Sequence, residues 1–315
     1  NKCMSLDIVI PVFRPDERLK KCIERLMRQT IHPDHIYLVV TYETESDMIK
    51  PDKMIYERYP EVEIHYLPAE AYDHGGTRDR WMHWLAAEFV VFLVQDAVPV
   101  DRYLLENLLR PFADAQVAVT YGRHVTDERC EVTERCARTF NYPKKSRIKS
   151  ASDEKELGIK TYFSSNVCAA YRRDYYLQTE GFGTKVISSE DMLAARRLME
   201  KGWKTAYAAD AQVLHYHNYR TTELWRRNFD IGVAHAEHPE MVRNVPPSGE
   251  GLKLVRSTAA WLYRHDKKWK LIPFGIRSAG RYAAYRMGRY YKRLPMWVVR
   301  HCSRNKWYWK EEEEQ

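Results

Sequence analysis

Short apolar runs recur along the first two-thirds of the chain, spaced as strands with helices between them. Residues 6–12 are β-branched and apolar, the pattern of a buried strand, and 36–40, 62–67, 89–94 and 117–121 repeat it. Between these runs the apolar positions fall at helical spacing. Leu19, Ile23, Leu26 and Met27 share one face of a helix over 16–29, and 77–87 and 102–113 read the same way, the last with Asp101 as its N-cap. Strand and helix in alternation need crossover connections, which predicts an α/β fold on a mixed, mostly parallel sheet.

In such a sheet ligands bind beyond the carboxyl ends of the strands. The residues there are Pro11 to Arg14 after the first strand, Thr41 to Glu43 after the second, and Gln95-Asp96-Ala97 after the fourth. Asp96 reads either as a ligand for Mg²⁺ or Mn²⁺ on a diphosphate or as a turn-capping carboxylate. Asp73-His74-Gly75-Gly76-Thr77-Arg78 opens a predicted helix, as an anion site at its N-terminus or as a glycine-rich turn with Arg78 on the surface. Ser188-Ser189-Glu190-Asp191 precedes a helix running to Lys201, where serine capping and a catalytic carboxylate can coexist. His215-Tyr216-His217 follows a strand over 211–214 and places both imidazoles on one face, to ligate metal or donate to phosphate, with one of the pair expected to be packed and satisfied.

Charge divides the chain. Residues 252–310 hold 16 Lys and Arg against the single acid Asp266, whereas 1–251 hold 35 basic and 38 acidic residues; Glu311 to Glu314 close the chain. Twelve of the 40 aromatic residues lie in the basic stretch. Two domains are therefore expected, 1–250 and 251–315, meeting near Pro246-Pro247-Ser248-Gly249. In the second, Ile276, Ala279, Ala283, Met287, Tyr290 and Leu294 recur every three or four residues beside Arg277, Arg281, Arg289 and Lys292; Met296, Trp297, Trp307, Tyr308 and Trp309 follow. That is an amphipathic helical segment suited to an anionic membrane surface, or one packed on the first domain with its basic face in water. Nucleic acid is not the expected partner, and oligomerisation is left open. No apolar run is long enough to span a bilayer and no leader pattern is present, so the expected location is cytoplasmic, peripheral on the inner face of the cell membrane. Six scattered cysteines without CxxC spacing read as reduced thiols, with a Cys130–Cys136 bridge open only to an oxidising compartment. Residues 122–165 are polar and read as a flap, an acceptor loop or a solvated insertion.

The order of the motifs resembles that of family 2 glycosyltransferases of the GT-A type, and of their rhamnosyltransferase-like branch. It is carried by Ile8 to Phe13, His74-Gly75-Gly76-Thr77-Arg78, Phe92 to Pro99, Asn166 to Arg173, Ser189-Glu190-Asp191 and His215-Tyr216-His217. The resemblance implies a Rossmann-like GT-A fold and an inverting transfer from a nucleotide-sugar donor, dTDP-β-L-rhamnose, to a lipid-linked saccharide acceptor in surface polysaccharide synthesis. It implies that Pro11, Phe13, Arg14 and Thr41 to Glu43 line the nucleotide pocket, completed by Asp73, Gly75 and Arg78. Asp96 matches the second acid of the family's DxD element and Val94 replaces the first, which shifts metal or diphosphate binding onto Gln95 and His215. Asp191 matches the catalytic base, with Glu190 positioning it or the acceptor. A UDP-sugar donor, or a non-enzymatic binding protein on an inactive transferase fold, are the alternatives.

Overall fold

The structure is a computed structural model that describes residues 4–48 and 58–309; Cys3 and the acidic tail 311–314 lie outside the described residues. The first strand, β1 (Leu6–Val12), is buried almost throughout, as a central parallel strand must be. Helix α1 (Glu17–Leu26) begins at Asp16, whose carboxylate accepts the Arg18 backbone N–H at 2.9 Å, and it buries Leu19, Cys22, Ile23 and Leu26. Then come β2 (His35–Tyr42), β3 (Val62–Pro68), α2 (His74–Trp84), β4 (Phe89–Leu93) and the two-residue β5 (Val98–Pro99). They are followed by α3 (Leu104–Leu109), β6 (Val117–Val125), α4 (Val132–Asn141), β7 (Arg147–Lys149), β8 (Cys168–Arg172), α5 (Glu190–Glu200) and β9 (Lys204–Leu214). Four further helices close the chain: α6 (Thr221–Glu237), α7 (Ser248–Arg264), α8 (Leu271–Arg289) and α9 (Met296–Cys302).

The strands form one mixed sheet in the order β3–β2–β1–β4–β8–β6–β9–β5, with β7 also paired to β9. The ladders of β1 with β2 and β4, β2 with β3, and β6 with β9 are parallel; β8, β5 and β7 pair antiparallel. One face packs on α1 and α3, the other on α2 and α5. This is the expected α/β architecture, and the carboxyl ends of β1, β2 and β4 open on one edge, where the candidate residues lie.

Several boundaries differ from expectation. Asp101 does not cap a helix; its Oδ1 accepts the Tyr103 N–H at 2.8 Å in a tight turn, and α3 starts at Leu104. That helix passes into a 3₁₀ turn (Arg110–Ala113) at Pro111, which cannot donate to a continuing helix. Helix α2 begins three residues early because Asp73 caps it. Residues 122–165 are not a free loop, since β7 pairs with β9 and Lys149 is buried beneath them. Its Nζ donates to Tyr121 Oη at 3.1 Å and to the carbonyls of Lys160 and Phe163 at 2.9 and 2.6 Å, while burial lowers its pKa to about 7. The five described cysteines are unpaired.

The basic C-terminal segment is fastened to the rest of the chain through α6. Ile187, Phe229, Val233, Ala284, Tyr291, Val299 and the fully buried Trp309 form one hydrophobic cluster. Trp309 is thus core, and Tyr308 is tied down, its hydroxyl donating to the Lys185 carbonyl at 3.0 Å, so neither is free for a headgroup layer. Helices α6 and α8 cross where Gly232 meets Gly288. The orientation of α8 inverts the simple reading of its charge. Arg277 and Arg289 turn inward to the carbonyls of Tyr219 and His235, while Ile272 and Ile276 are 76% and 70% exposed. No helix among the described residues is long and apolar enough to cross a membrane.

A Cβ on Gly288 would collide with the Phe229 carbonyl, whereas one on Gly280 of the same helix meets only Trp225 at 4.0 Å. Gly288→Ala should therefore cost about 1–3 kcal/mol through overpacking. Gly280→Ala should be neutral or gain up to ~1 kcal/mol from helix propensity. Thermal unfolding of the two variants checks this, and equal midpoints would refute the seam.

Candidate active site

The loops after β1, β2 and β4 are locked together. The Gln95 side chain accepts the Phe13 N–H at 2.8 Å and donates to the Phe13 carbonyl at 3.0 Å, so both ends of its amide hold backbone. Arg14, at φ 45°, crosses to the β2 loop and donates to Asp47 at 2.8 Å and Glu43 at 3.2 Å. Glu43 also accepts the indole N–H of Trp307 at 3.1 Å, which brings the C-terminal segment to this rim. Thr41 is buried and Pro11 partly so, while the Phe13 ring stays exposed under the Arg14 guanidinium. Pro11, Phe13, Arg14, Thr41 and Glu43 thus lie together at the ends of two paired strands. Gln95 braces Phe13 among them.

The glycine loop does something other than hold an anion. Asp73 accepts the N–H groups of Gly75 and Gly76 at 3.2 and 2.9 Å, and those of Lys185 and Val186 at 2.7 and 3.2 Å. Its carboxylate therefore fills the N-terminus of α2 and pins the 185–186 loop on it. A Cβ on Gly75 would lie 2.7 Å from the Gly183 carbonyl, so the close approach this glycine permits is made by protein backbone. Arg78 is not on the surface; it is buried and pairs with Glu190 at 3.2 Å.

Asp96, His215 and His217 converge, with one ligand atom from each within 4.8 Å of the others. The Nε2 atoms of His215 and His217 lie 3.6 and 3.4 Å from the Asp96 oxygens, too long for direct hydrogen bonds. Burial first, then neighbouring His124 and Arg138, hold the pKa of His215 well below its usual value, and burial lowers that of His217 against the pull of Asp96; both shifts favour the neutral, ligating form. Ring contacts fix them: His215 sits edge-on to His124 and His217, and His217 stacks on Tyr219. An O,N,N set with neutral imidazoles fits a divalent cation. Arg18 now contacts Asp96 at 3.1 Å. Val94, standing where a first acid would be, packs against the core. The third donor comes instead from His217, which was visible as the second half of the HxH pair but was not singled out as a ligand.

Across the sheet end, the two acids at the start of α5 have separate fates. Glu190 is buried, bound by Arg78 and by the Asn166 side-chain amide at 3.2 Å. Asp191 accepts the backbone N–H groups of Asn166 at 3.1 Å and Met192 at 2.8 Å and keeps a solvent-accessible face. Burial, and next the charge of Glu190, raise the Asp191 carboxyl to about 7. Asn166, itself held by the Tyr171 hydroxyl at 2.7 Å, joins both acids; its motif was recognised but its role was not. Ser189 does not cap with its side chain, and its backbone takes the left-handed conformation at φ 64° that turns the chain into α5.

Residues 5–229 match the family described as glycosyltransferase-like family 2. The O-antigen chain rhamnosyltransferases RfbN of Salmonella typhimurium and WbaN of Salmonella anatum are each 33% identical over 309 residues, covering 97% of this chain and 96% of theirs. Among solved structures, the mannosyltransferase PcManGT from Pyrobaculum calidifontis, in complex with GDP-Man and Mn²⁺, superposes with a TM-score of 0.64 at 14% identity, over 92% of this chain and 89% of that one. TarS 1–349 of S. aureus gives 0.52 at 14%, over 92% and 91%. Those two likenesses establish the GT-A fold. With that fold, the family match and relatives aligned from end to end, the chain belongs to the family 2 glycosyltransferases.

Proposed function

We propose that the protein transfers L-rhamnose from dTDP-β-L-rhamnose to a lipid-linked saccharide during surface polysaccharide synthesis, inverting the anomeric centre to an α-linkage. The observation that carries the chemistry is the division of labour at α5: Glu190 is consumed by Arg78 and Asn166, leaving Asp191 as an oriented carboxylate of raised pKa. The rhamnosyl assignment draws on the end-to-end similarity to two rhamnosyltransferases.

In a single displacement, Asp191 accepts the proton of the acceptor hydroxyl while its oxygen bonds to the anomeric carbon; the bond to the diphosphate breaks and the nucleotide diphosphate leaves. Pro11, Phe13, Thr41 and Glu43 line the base and ribose pocket, and Arg14 and Gln95 hold its walls. A divalent cation, Mn²⁺ or Mg²⁺, held by Asp96, His215 and His217 would neutralise charge on the diphosphate. Residues 1–250 act as the catalytic unit. Residues 251–315 place it at the inner face of the membrane, the exposed Ile272 and Ile276 facing lipid while Arg286 and Arg293, stacked beside Tyr290, meet anionic headgroups.

Asp191→Asn should lower turnover by about 10²- to 10⁴-fold with donor affinity unchanged. The wild-type rate should rise with pH through about 7 as Asp191 loses its proton. The sign of the stability effect follows: a carboxyl whose pKa is raised on folding stabilises most below its unfolded value of about 4 and least above 7. Asp191→Asn should therefore melt higher than wild type at pH 8, and a variant that is both active and no more stable would contradict the assignment.

Donor identity and the cation are read by thermal shift. dTDP-rhamnose with Mn²⁺ should stabilise the protein more than UDP-sugars do, and His217→Ala should abolish the Mn²⁺-dependent part of that shift while leaving the metal-free part. Preference for a UDP-sugar overturns the rhamnosyl assignment.

Ile272→Glu with Ile276→Glu should reduce flotation with vesicles containing anionic lipid by at least about tenfold, since each buried isoleucine contributes about 1.5–3 kcal/mol. Unchanged flotation sinks the membrane claim.

A further inference from the structure

A cavity of about 100 Å³ lies between α4, α7, α8 and the loop that follows His217. That is the share of about three water molecules, room for one phosphoryl group. Glu131, Glu134, His217, Thr258, Arg277 and Arg281 are among its walls.

Its two carboxylates have partners, whereas its two guanidinium groups are at most partly paired. Glu131 is engaged by the Thr133 N–H at 2.8 Å and by Lys270 at 3.4 Å, and Glu134 by Arg138 at 2.7 Å. Arg277 gives one guanidinium nitrogen to the Tyr219 carbonyl, but its buried Nε has no partner. Arg281, one turn along the same face of α8, makes no hydrogen bond or ion pair among the described residues. Arg227 is near as well: burial first, then Arg227, lower the Arg281 pKa, Glu134 raises it, and Arg277 lowers it less strongly. Like charges one helical turn apart repel, and desolvating them adds cost. An anion between them removes both penalties, and a guanidinium is the group that receives phosphate in a planar fork.

We infer that Arg277 and Arg281 bind a phosphoryl group in this cavity, and that it is the phosphate joining the saccharide acceptor to its lipid carrier. The assignment rests on the lipid-linked acceptor proposed above. One wall of the cavity is His217 of the cation site, and another is α8, whose outer face carries Ile272 and Ile276. A headgroup here has the reacting centre on one side and an apolar surface for its chain on the other. The donor's diphosphate is the other source of the same chemistry.

The test is calorimetric titration of the full chain with farnesyl diphosphate while dTDP and Mn²⁺ saturate the donor site. Wild type should bind, Arg281→Gln should weaken binding at least tenfold, and Arg281→Lys should restore most of it; the dTDP affinity of all three should agree within twofold. No binding by wild type under dTDP saturation overturns the inference. An equal loss of dTDP affinity in Arg281→Gln assigns the cavity to the donor, and inorganic diphosphate binding as tightly as farnesyl diphosphate removes the lipid. Rhamnosyl transfer to a lipid-linked acceptor that persists without farnesyl diphosphate binding would refute the cavity alone. If wild type transfers rhamnose only to lipid-free acceptors, the underlying reading falls instead.

Discussion

Two carboxylates in adjacent positions cannot both be buried and charged without compensation, and the organisation of the candidate active site follows from how that conflict is resolved. Glu190 takes the buried place and the cation, Arg78, while Asp191 takes the backbone N–H of Asn166 and stays reachable. Arg78 can reach Glu190 because α2 is set against the 185–186 loop by Asp73, and Gly75 leaves room for that contact. A capping residue, a glycine and an arginine from one helix start and an asparagine from another part of the chain thus determine which of two neighbouring acids stays reachable.

The parallel half of the sheet was legible because β1, β2 and β4 are largely apolar, buried runs, and burial on both faces leaves such a run few alternatives. Asp96 stood out in the sequence because it follows a buried apolar run at the carboxyl edge of that sheet, and Asp191 because it opens a helix in a Glu-Asp pair that the family resemblance marks. The short antiparallel strands β5 and β7 were not, since two or three residues carry no period and pair only because β9 passes beside them. Nor could sequence alone tell whether the Asp73 loop receives a ligand or caps its own helix, because an Asp followed by two glycines suits both. His217 was underweighted for a related reason: the HxH spacing places two imidazoles on one face, but only the fold brings Asp96 between them.

The C-terminal segment shows a different limit. Its composition marks a boundary near Pro246, yet Trp309 enters a core shared with Phe229 and Ile187, and Trp307 reaches Glu43 in the loop after β2. A change in composition reports a change in surroundings, which here is the chemistry of one outer face. It does not report independence of packing.

The direction in which α8 faces has a consequence for how the protein would behave in a broken cell. With Arg277 and Arg289 spent on internal carbonyls and Ile272 and Ile276 outward, the membrane adhesion proposed for this helix would be mainly apolar, and high ionic strength screens charge but not hydrophobic contact. Such a protein would stay with the pellet through a concentrated salt wash and come off with mild detergent, so that fractionation would class it with integral proteins although no described helix spans the bilayer.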